Sequence, residues 1–375
     1  MCALTAGARG KRVALFEHAD QAGKKILISG GGRCNFTNLY CTPENFISGN
    51  PHFCKSALAR YTQHDFIALI DKHRIPWHEK TLGQLFCNGS ARAVVAMLLA
   101  ECAATGVDLR LGCRIMDISR ADRFRVDTDQ GNFSAESFVL ATGGLSIPKM
   151  GATGFAHKAA KRFGLKMTEC GPGLAPLTFG GSDLELMRSM SGISLECIAT
   201  CEKSSFREAM LFTHRGLSGP AILQISSFWR AGGEITLNML PDLDVGPWLI
   251  ESKRTRPRAE PRTVLSEILP ARLAAALAEK HLPARPMGEL TDRLLHDLGD
   301  RLNRWRLTPS GSEGYVKAEV TRGGIDTVGL SSQTMEAKDV PGLYAIGEAV
   351  DVTGWLGGYN FQWAWSSGFA AGEAV

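Results

Sequence analysis

Glycine is concentrated in four stretches of this chain: Gly30-Gly31-Gly32, Gly143-Gly144 followed by Gly151 and Gly154, Gly323-Gly324, and Gly354 followed by Gly357-Gly358. Glycine tolerates positive φ and close approach, so such clusters mark main chain that is presented to a ligand. Between Lys24 and Asn38 the triple glycine runs directly into Arg33-Cys34-Asn35. That order frees backbone N–H groups to face an anion or a ring, and Lys24 and Arg33 supply positive charge beside them. Two further stretches end apolar strand patterns in small or acidic residues: Leu140-Ala141-Thr142-Gly143-Gly144, and Gly342 through Gly347-Glu348. Gly357-Gly358-Tyr359-Asn360 opens a helical pattern near Phe361-Gln362-Trp363, whose amide end can stabilise negative charge. Glu17 closes the strand pattern that begins at Arg12, where a carboxylate can accept hydrogen bonds from a ribose diol.

A strand ending in an acid, together with a buried strand that ends in small residues, predicts a doubly wound dinucleotide-binding fold with its ligand at the carboxyl edge of the sheet. Residues 1–10 read as the end of a small-residue helix closed by Gly10. The G-x-G-x-x-G loop that belongs before such a helix is not among the numbered residues, and about 15 residues of strand and loop are expected ahead of Met1. The chain as numbered is therefore expected to hold its dinucleotide weakly. Helical patterns follow near 52–61 and 64–73, and a helix over 90–105, apolar on most sides, stops at Gly106. Segments 113–119, 124–129 and 132–135 alternate like a β-meander and lead into the buried strand 137–141. From about 170 to 325 the texture changes to short strands around Phe212-Thr213-His214-Arg215-Gly216-Leu217-Ser218-Gly219-Pro220, with Ser218 placed to cap a helix from Ala221. Prolines then punctuate amphipathic helices over 263–280 and 290–305, and strand signals resume at 315–320. The expected organisation is a nucleotide domain of 1–169 and 326–375, interrupted by a β-rich insert of 170–245 and 309–325 that carries a helical subdomain of 246–308.

The chain has 375 residues, with 42 Lys+Arg against 38 Asp+Glu and a formal net charge of +4. So small an excess argues against a dedicated nucleic-acid binder. The longest nearly apolar stretch, 93–104, is too short to cross a bilayer and contains Glu101. With no signal-peptide pattern at the start, a cytoplasmic location is expected. The ten cysteines include no C-x-x-C pair, which predicts no metal site and reduced, mostly buried thiols. Cys34, Trp363 and Trp365 are read as packing residues.

The motifs at 23–38 (GKKILISGGGRCNFTN), 141–154 (ATGGLSIPKMGATG), 212–220 (FTHRGLSGP) and 357–368 (GGYNFQWAWSSG) resemble the bacterial flavoproteins called YhiN-like or BaiN-like. These are NAD(P)/FAD-dependent, aminoacetone-oxidase-type enzymes, and the resemblance runs over nearly the whole chain. It implies a Rossmann-like FAD-binding domain of the two-dinucleotide-binding type, interrupted by a β-barrel-like insert and helices. By the same resemblance, Glu17 holds the adenosine ribose, and the loop with Lys24, Gly30, Gly31, Gly32, Arg33 and Asn35 runs along the FAD. Ala141, Thr142 and Gly143 flank the adenine half, and Gly347-Glu348 stand where Gly-Asp usually meets the ribityl and pyrophosphate groups. Gly358, Tyr359, Asn360 and Gln362 lie near the flavin pyrimidine.

The implied function is an FAD-dependent oxidoreductase that moves hydride between a small organic substrate and flavin, with NAD(P)H or oxygen as its redox partner. No second nucleotide fingerprint appears, so nicotinamide use comes from the resemblance alone. Flavin enzymes need few catalytic side chains; the polar candidates are Arg33, Asn35, Thr213 and His214. A competing reading, a nucleic-acid-associated flavoprotein, rests on Lys253, Arg254, Arg256, Arg258 and Arg262. Pro257 and Pro261 in that run favour a solvated linker, and nucleic acid is not the expected partner.

Overall fold

The apolar run Phe138–Leu140 forms a strand paired in parallel with Leu343–Ala345, Phe138 opposite Leu343 and Leu140 opposite Ala345. In the computed structural model, which describes residues 1–375, a second parallel pair joins Ala14–Phe16 to Asp108–Arg110. Parallel strands need a crossover, and the helix Arg92–Ala104 leads into Asp108–Arg110 as part of one. No ladder hydrogen bonds link the two pairs. The strand Leu343–Ala345 is buried throughout, whereas Ala14 is exposed. An antiparallel sheet ordered Asn35–Asn38, Gln84–Cys87, Trp77–Glu79 and the meander Ile115–Arg120, Phe124–Thr128, Gly131–Ala135 belong to the same unit, which comprises Met1–Gly171 and Val320–Val375.

The long helix Tyr359–Ala374 is central to this unit. Trp363 and Trp365 are both buried, and the Trp365 ring stacks on Phe66 at 4.5 Å, so both tryptophans pack, as expected. A Cβ on Gly372 would lie 2.5 Å from Thr5 Cβ, so glycine at this position lets the helix touch the terminal helix Cys2–Ala8.

Pro172–Glu319 forms the second unit. Its antiparallel sheet has seven strands, ordered Trp305–Leu307, Ile235–Asn238, Ser194–Cys201, Ser204–Thr213, Gly216–Ser218, Leu177–Thr178, Gly311–Ser312. The two outermost strands are joined by residues 308–310 alone. A flat seven-stranded sheet would hold its edges about 29 Å apart, while four residue steps reach about 14 Å. The sheet must therefore curl toward closure, which gives the β-barrel-like insert in an α/β protein of Rossmann type.

Several local readings differ from the structure. The helix expected over 263–280 is broken into Pro261–Leu265 and Ala271–His281, because Pro270 is extended (ψ 132°) at the junction. The one expected over 290–305 spans Asp292–Asn303, and Trp305 starts a strand instead. Ser218 lies in a strand; the next helix starts at Pro220 behind Gly219 with no side-chain cap. Residues 315–317 form a turn, and the strand is Val320–Arg322. The stretch 30–38 is not all loop, since Asn35–Asn38 pairs with Gln84–Cys87. No helix is long and apolar enough to cross a membrane.

Candidate functional site

Gly23, in the left-handed conformation, starts the helix Lys24–Ile28, and a tight turn over Ser29–Gly32 follows. Gly30 and Gly31 have φ of 57° and 67°, a region that side chains enter at a cost. A Cβ on Gly30 would lie 2.7 Å from the Phe86 ring, whereas one on Gly31 would meet nothing within 4 Å. The Gly31 backbone thus borders open space, and the Arg33 side chain beside it is exposed. Cys34 is fully buried, and burial pushes its thiol up to about 12, which leaves no reactive thiolate.

Lys24 pairs with Asp20 at 3.1 Å. Its neighbour Lys25 joins distant elements: Nζ donates to Glu348 Oε2 at 2.5 Å and to Ser146 Oγ at 2.7 Å. Ser146 Oγ and the Thr321 N–H each donate to Glu348 Oε1 at 2.8 Å. Both carboxylate oxygens of Glu348 are therefore held by protein donors, and the side chain ties together the loops beyond the strand Leu343–Ala345. Gly347 is likewise fixed, its N–H donating to Ser367 Oγ and its carbonyl accepting from Trp363 Nε1, both at 3.0 Å.

The segments that follow the parallel strands converge. Glu17 keeps a partly exposed carboxylate and accepts from the Ala19 N–H at 2.8 Å. The next residue, His18, lies against Gly151, where a Cβ would be 2.6 Å from its Nε2. Ala141 and Thr142 are exposed, and a Cβ on Gly143 would meet nothing within 4 Å. Thr142 Oγ1 accepts from the Ala156 N–H at 3.2 Å and so fixes the ledge to the following helix. An open ledge beyond the carboxyl ends of strands is where α/β sheets bind ligands.

The glycines before the long helix are positioned differently. A Cβ on Gly358 (φ 99°) would collide with the Thr37 carbonyl. Oriented to satisfy its neighbours, the Asn35 amide donates to the carbonyls of Thr37 and Leu85 and accepts from the Gly358 N–H, each at 3.1 Å. Asn360 closes on Gly354, accepting from its N–H and donating to its carbonyl, both at 2.8 Å. Gln362 is fully buried; it accepts from Thr37 Oγ1 at 2.6 Å and donates to Tyr61 O at 3.1 Å and Ser366 Oγ at 3.0 Å. Tyr359 is buried against Phe46 and Trp355. Asn35, Asn360 and Gln362 thus act as struts: the buried Gln362 requires internal partners, and the half-buried Asn35 and Asn360 spend their amides on main-chain groups.

Thr213 and His214 belong to the insert unit. Thr213 Oγ1 donates to Gly216 O and accepts from the Arg215 N–H, both at 3.2 Å, which closes the turn. His214 is exposed and lines a recess of about 490 Å³ with Ser191, Arg215, Glu313 and Lys317. The basic run is largely neutralised: Lys253 pairs with Asp292, Arg254 with Glu251, Arg256 with Glu267 and Arg262 with Glu260, leaving Arg258 without an acid. Sequence reasoning does not single out Lys25, Ser146, Thr321 or His18. Lys25 offers a signal only as half of a Lys-Lys pair, and no spacing rule connects it to Glu348, 323 positions away.

Comparison with known proteins extends this geometry. The chain is 48% identical over 375 residues to a ribosomal RNA dihydrouridine synthase of Escherichia coli K12, covering 99% of this chain and 94% of that protein. It is 42% identical over 382 residues to the Haemophilus influenzae protein of the same name, covering 100% and 95%. Identity to a Clostridium scindens 3-dehydro-bile acid delta(4,6)-reductase is 26% over 383 residues, covering 97% and 92%. The family model described as HI0933-like protein Rossmann domain matches residues 1–374, and the chain belongs to that family.

Proposed function

We propose that this protein is a flavin-dependent enzyme that reduces a uridine of ribosomal RNA to dihydrouridine. The observation that carries the reading is the 48% identity, across 99% of the chain, to a protein named for that activity. The more distant relative is named for a reductase acting at ring double bonds, so addition of hydrogen across a ring carbon–carbon bond is common to the printed names. On this reading the substrate is a base inside a polymer, where the sequence alone led to the expectation of a small organic molecule.

The nucleotide unit fits FAD at the positions that remain open. Gly31 and Gly143 border free space, Glu17 keeps a partly exposed carboxylate, and Ala141 and Thr142 form an exposed ledge. Flavin, when bound, supplies the hydride. Glu17 would accept from the adenosine ribose, the 141–143 ledge would lie along the adenine half, and the Gly31 N–H with Arg33 would face negative charge on the cofactor. The Lys25–Glu348–Ser146 cluster positions those loops. Of the four side chains proposed for chemistry, Asn35 and Thr213 are committed to internal hydrogen bonds, whereas Arg33 and His214 are exposed, each on its own unit. Making dihydrouridine consumes two electrons, so NAD(P)H rather than oxygen is the proposed redox partner. Ribosomal RNA as substrate agrees with a cytoplasmic location.

The test is to express the full chain in a bacterium lacking its own ribosomal RNA dihydrouridine synthase and to measure dihydrouridine in ribosomal RNA by nucleoside mass spectrometry. Restored dihydrouridine is expected. Its absence, with the protein soluble and carrying flavin, would reject the substrate.

A further inference from the structure

Cations that the protein does not neutralise stand in the lining of the recess on the insert unit and on the main chain behind it. Arg188 Nε donates to the His214 carbonyl at 3.1 Å, and the Arg272 guanidinium donates to that of Ser191. Ser191 and His214 both line the recess, so these bonds tie two guanidinium groups to the main chain of its lining, although neither arginine is itself a lining residue. Lys317 lines it directly and is exposed. Arg188, Arg272 and Lys317 have no carboxylate within ion-pair distance, and Glu313, the one acid of the lining, is engaged with Arg215 at 3.4 Å. Like charges gathered around a concave surface repel one another and focus a positive potential outward, so an anion there is attracted. A volume of about 490 Å³ falls within the range of small-ligand sites, about 300–1,000 Å³.

The basic run at 253–262 makes the contrast. Four of its five cations already hold carboxylates, so a polyanion would have to displace acids that are in place. By sequence that run is the obvious electropositive segment; by structure the recess is the unneutralised one.

We propose that this recess binds the sugar–phosphate backbone of the RNA substrate, with Lys317, Arg188 and Arg272 on phosphate oxygens and the exposed His214 ring against a nucleotide of the same strand. The proposal rests on the reading of RNA as substrate and adds the surface that holds it. Phosphate contacts fix register while carrying little sequence information, so the recess sets affinity and placement, and the choice of base belongs elsewhere.

The test uses the full chain and a short fluorescein-labelled, single-stranded, uridine-rich RNA, titrated by anisotropy over a salt series. Lys317→Glu is compared with Arg258→Glu. Both residues are exposed and outside any ion pair, and unchanged unfolding midpoints verify that both variants fold. Lys317→Glu is expected to weaken binding at least about fivefold and to lower the slope of log K against log salt by about 0.7. Arg258→Glu is expected to change neither. Equal effects, or loss confined to Arg258→Glu, would overturn the recess; dihydrouridine formation by the wild-type chain would then still uphold the substrate reading. Unchanged RNA affinity in Lys317→Glu with a raised KM for NADPH would assign the recess to a nicotinamide phosphate and also overturn the proposal. A wild-type chain that neither binds the RNA nor restores dihydrouridine would reject both readings.

Discussion

Two adjacent glycines separate backbone freedom from space. Gly30→Ala must place a Cβ against the Phe86 ring in a left-handed conformation, whereas Gly31→Ala faces the same conformational cost with nothing nearby. Gly30→Ala is expected to cost about 2–4 kcal/mol and Gly31→Ala about 1–2 kcal/mol, measured by urea unfolding. Equal losses would show that φ alone sets the requirement. The triple glycine was legible in the sequence as a special loop, but the division of labour within it was not, because Phe86 approaches from a different strand. A half-buried histidine with a buried ring nitrogen gives a pH-dependent counterpart. Burial first, then Arg301 and Lys280, lower His281 from its ordinary 6.5 to about 4, and its Nε2 is buried without a partner. Between those values the unfolded chain binds the proton and the folded chain does not, so stability falls as pH drops through 6.5 and the loss is complete near 4. His281→Leu is expected to flatten the decline of the thermal midpoint across this window in scanning fluorimetry. A slope identical to wild type would place the acid sensitivity on other groups.

Helices and strands were legible where local pattern and tertiary demand agree. The meander follows its own alternation, and the apolar run at 138–140 is a buried strand because both of its faces are covered. The pattern failed where a single residue overrides periodicity: Pro270 divides one apparent helix, and Gly219 with Pro220 starts another without the serine cap. The long helix Tyr359–Ala374 reads as apolar all round, which predicts burial but not its neighbour. Its small residues settle that. Gly372→Val would drive side-chain atoms into Thr5 and is expected to destabilise the protein by about 1–3 kcal/mol, with residues 1–8 becoming the first segment cut in limited proteolysis. Unaltered cleavage at that end would mean that the terminal helix docks by other contacts.

At the scale of the whole molecule, the insert has its own curled sheet and core, and its ends lie together, with the Glu319 N–H donating to Leu174 O at 3.2 Å. Pro172–Glu319 expressed alone is therefore expected to unfold cooperatively with near-ultraviolet circular dichroism typical of fixed aromatics such as Phe212 and Trp305. A non-cooperative transition would show that the insert depends on the rest of the chain. The sequence by itself determined the class of protein: glycine clusters, an acid at a strand end and long motifs specify a dinucleotide fold, since these are local requirements on backbone and are written in adjacent residues. The tertiary structure decided which polar groups are available. Asn35, Asn360 and Gln362 look chemically apt in the sequence, yet the fold surrounds them with carbonyls and hydroxyls and makes them struts. The basic run looks like a polyanion site, yet its charges meet carboxylates, some of them from distant segments, while Lys317 lines a recess whose lining carbonyls, at Ser191 and His214, are bound by Arg272 and Arg188 from elsewhere in the chain. Charge is a property of residues, but whether it is neutralised depends on which segments the fold brings within a few ångströms, and no spacing along the chain encodes that distance.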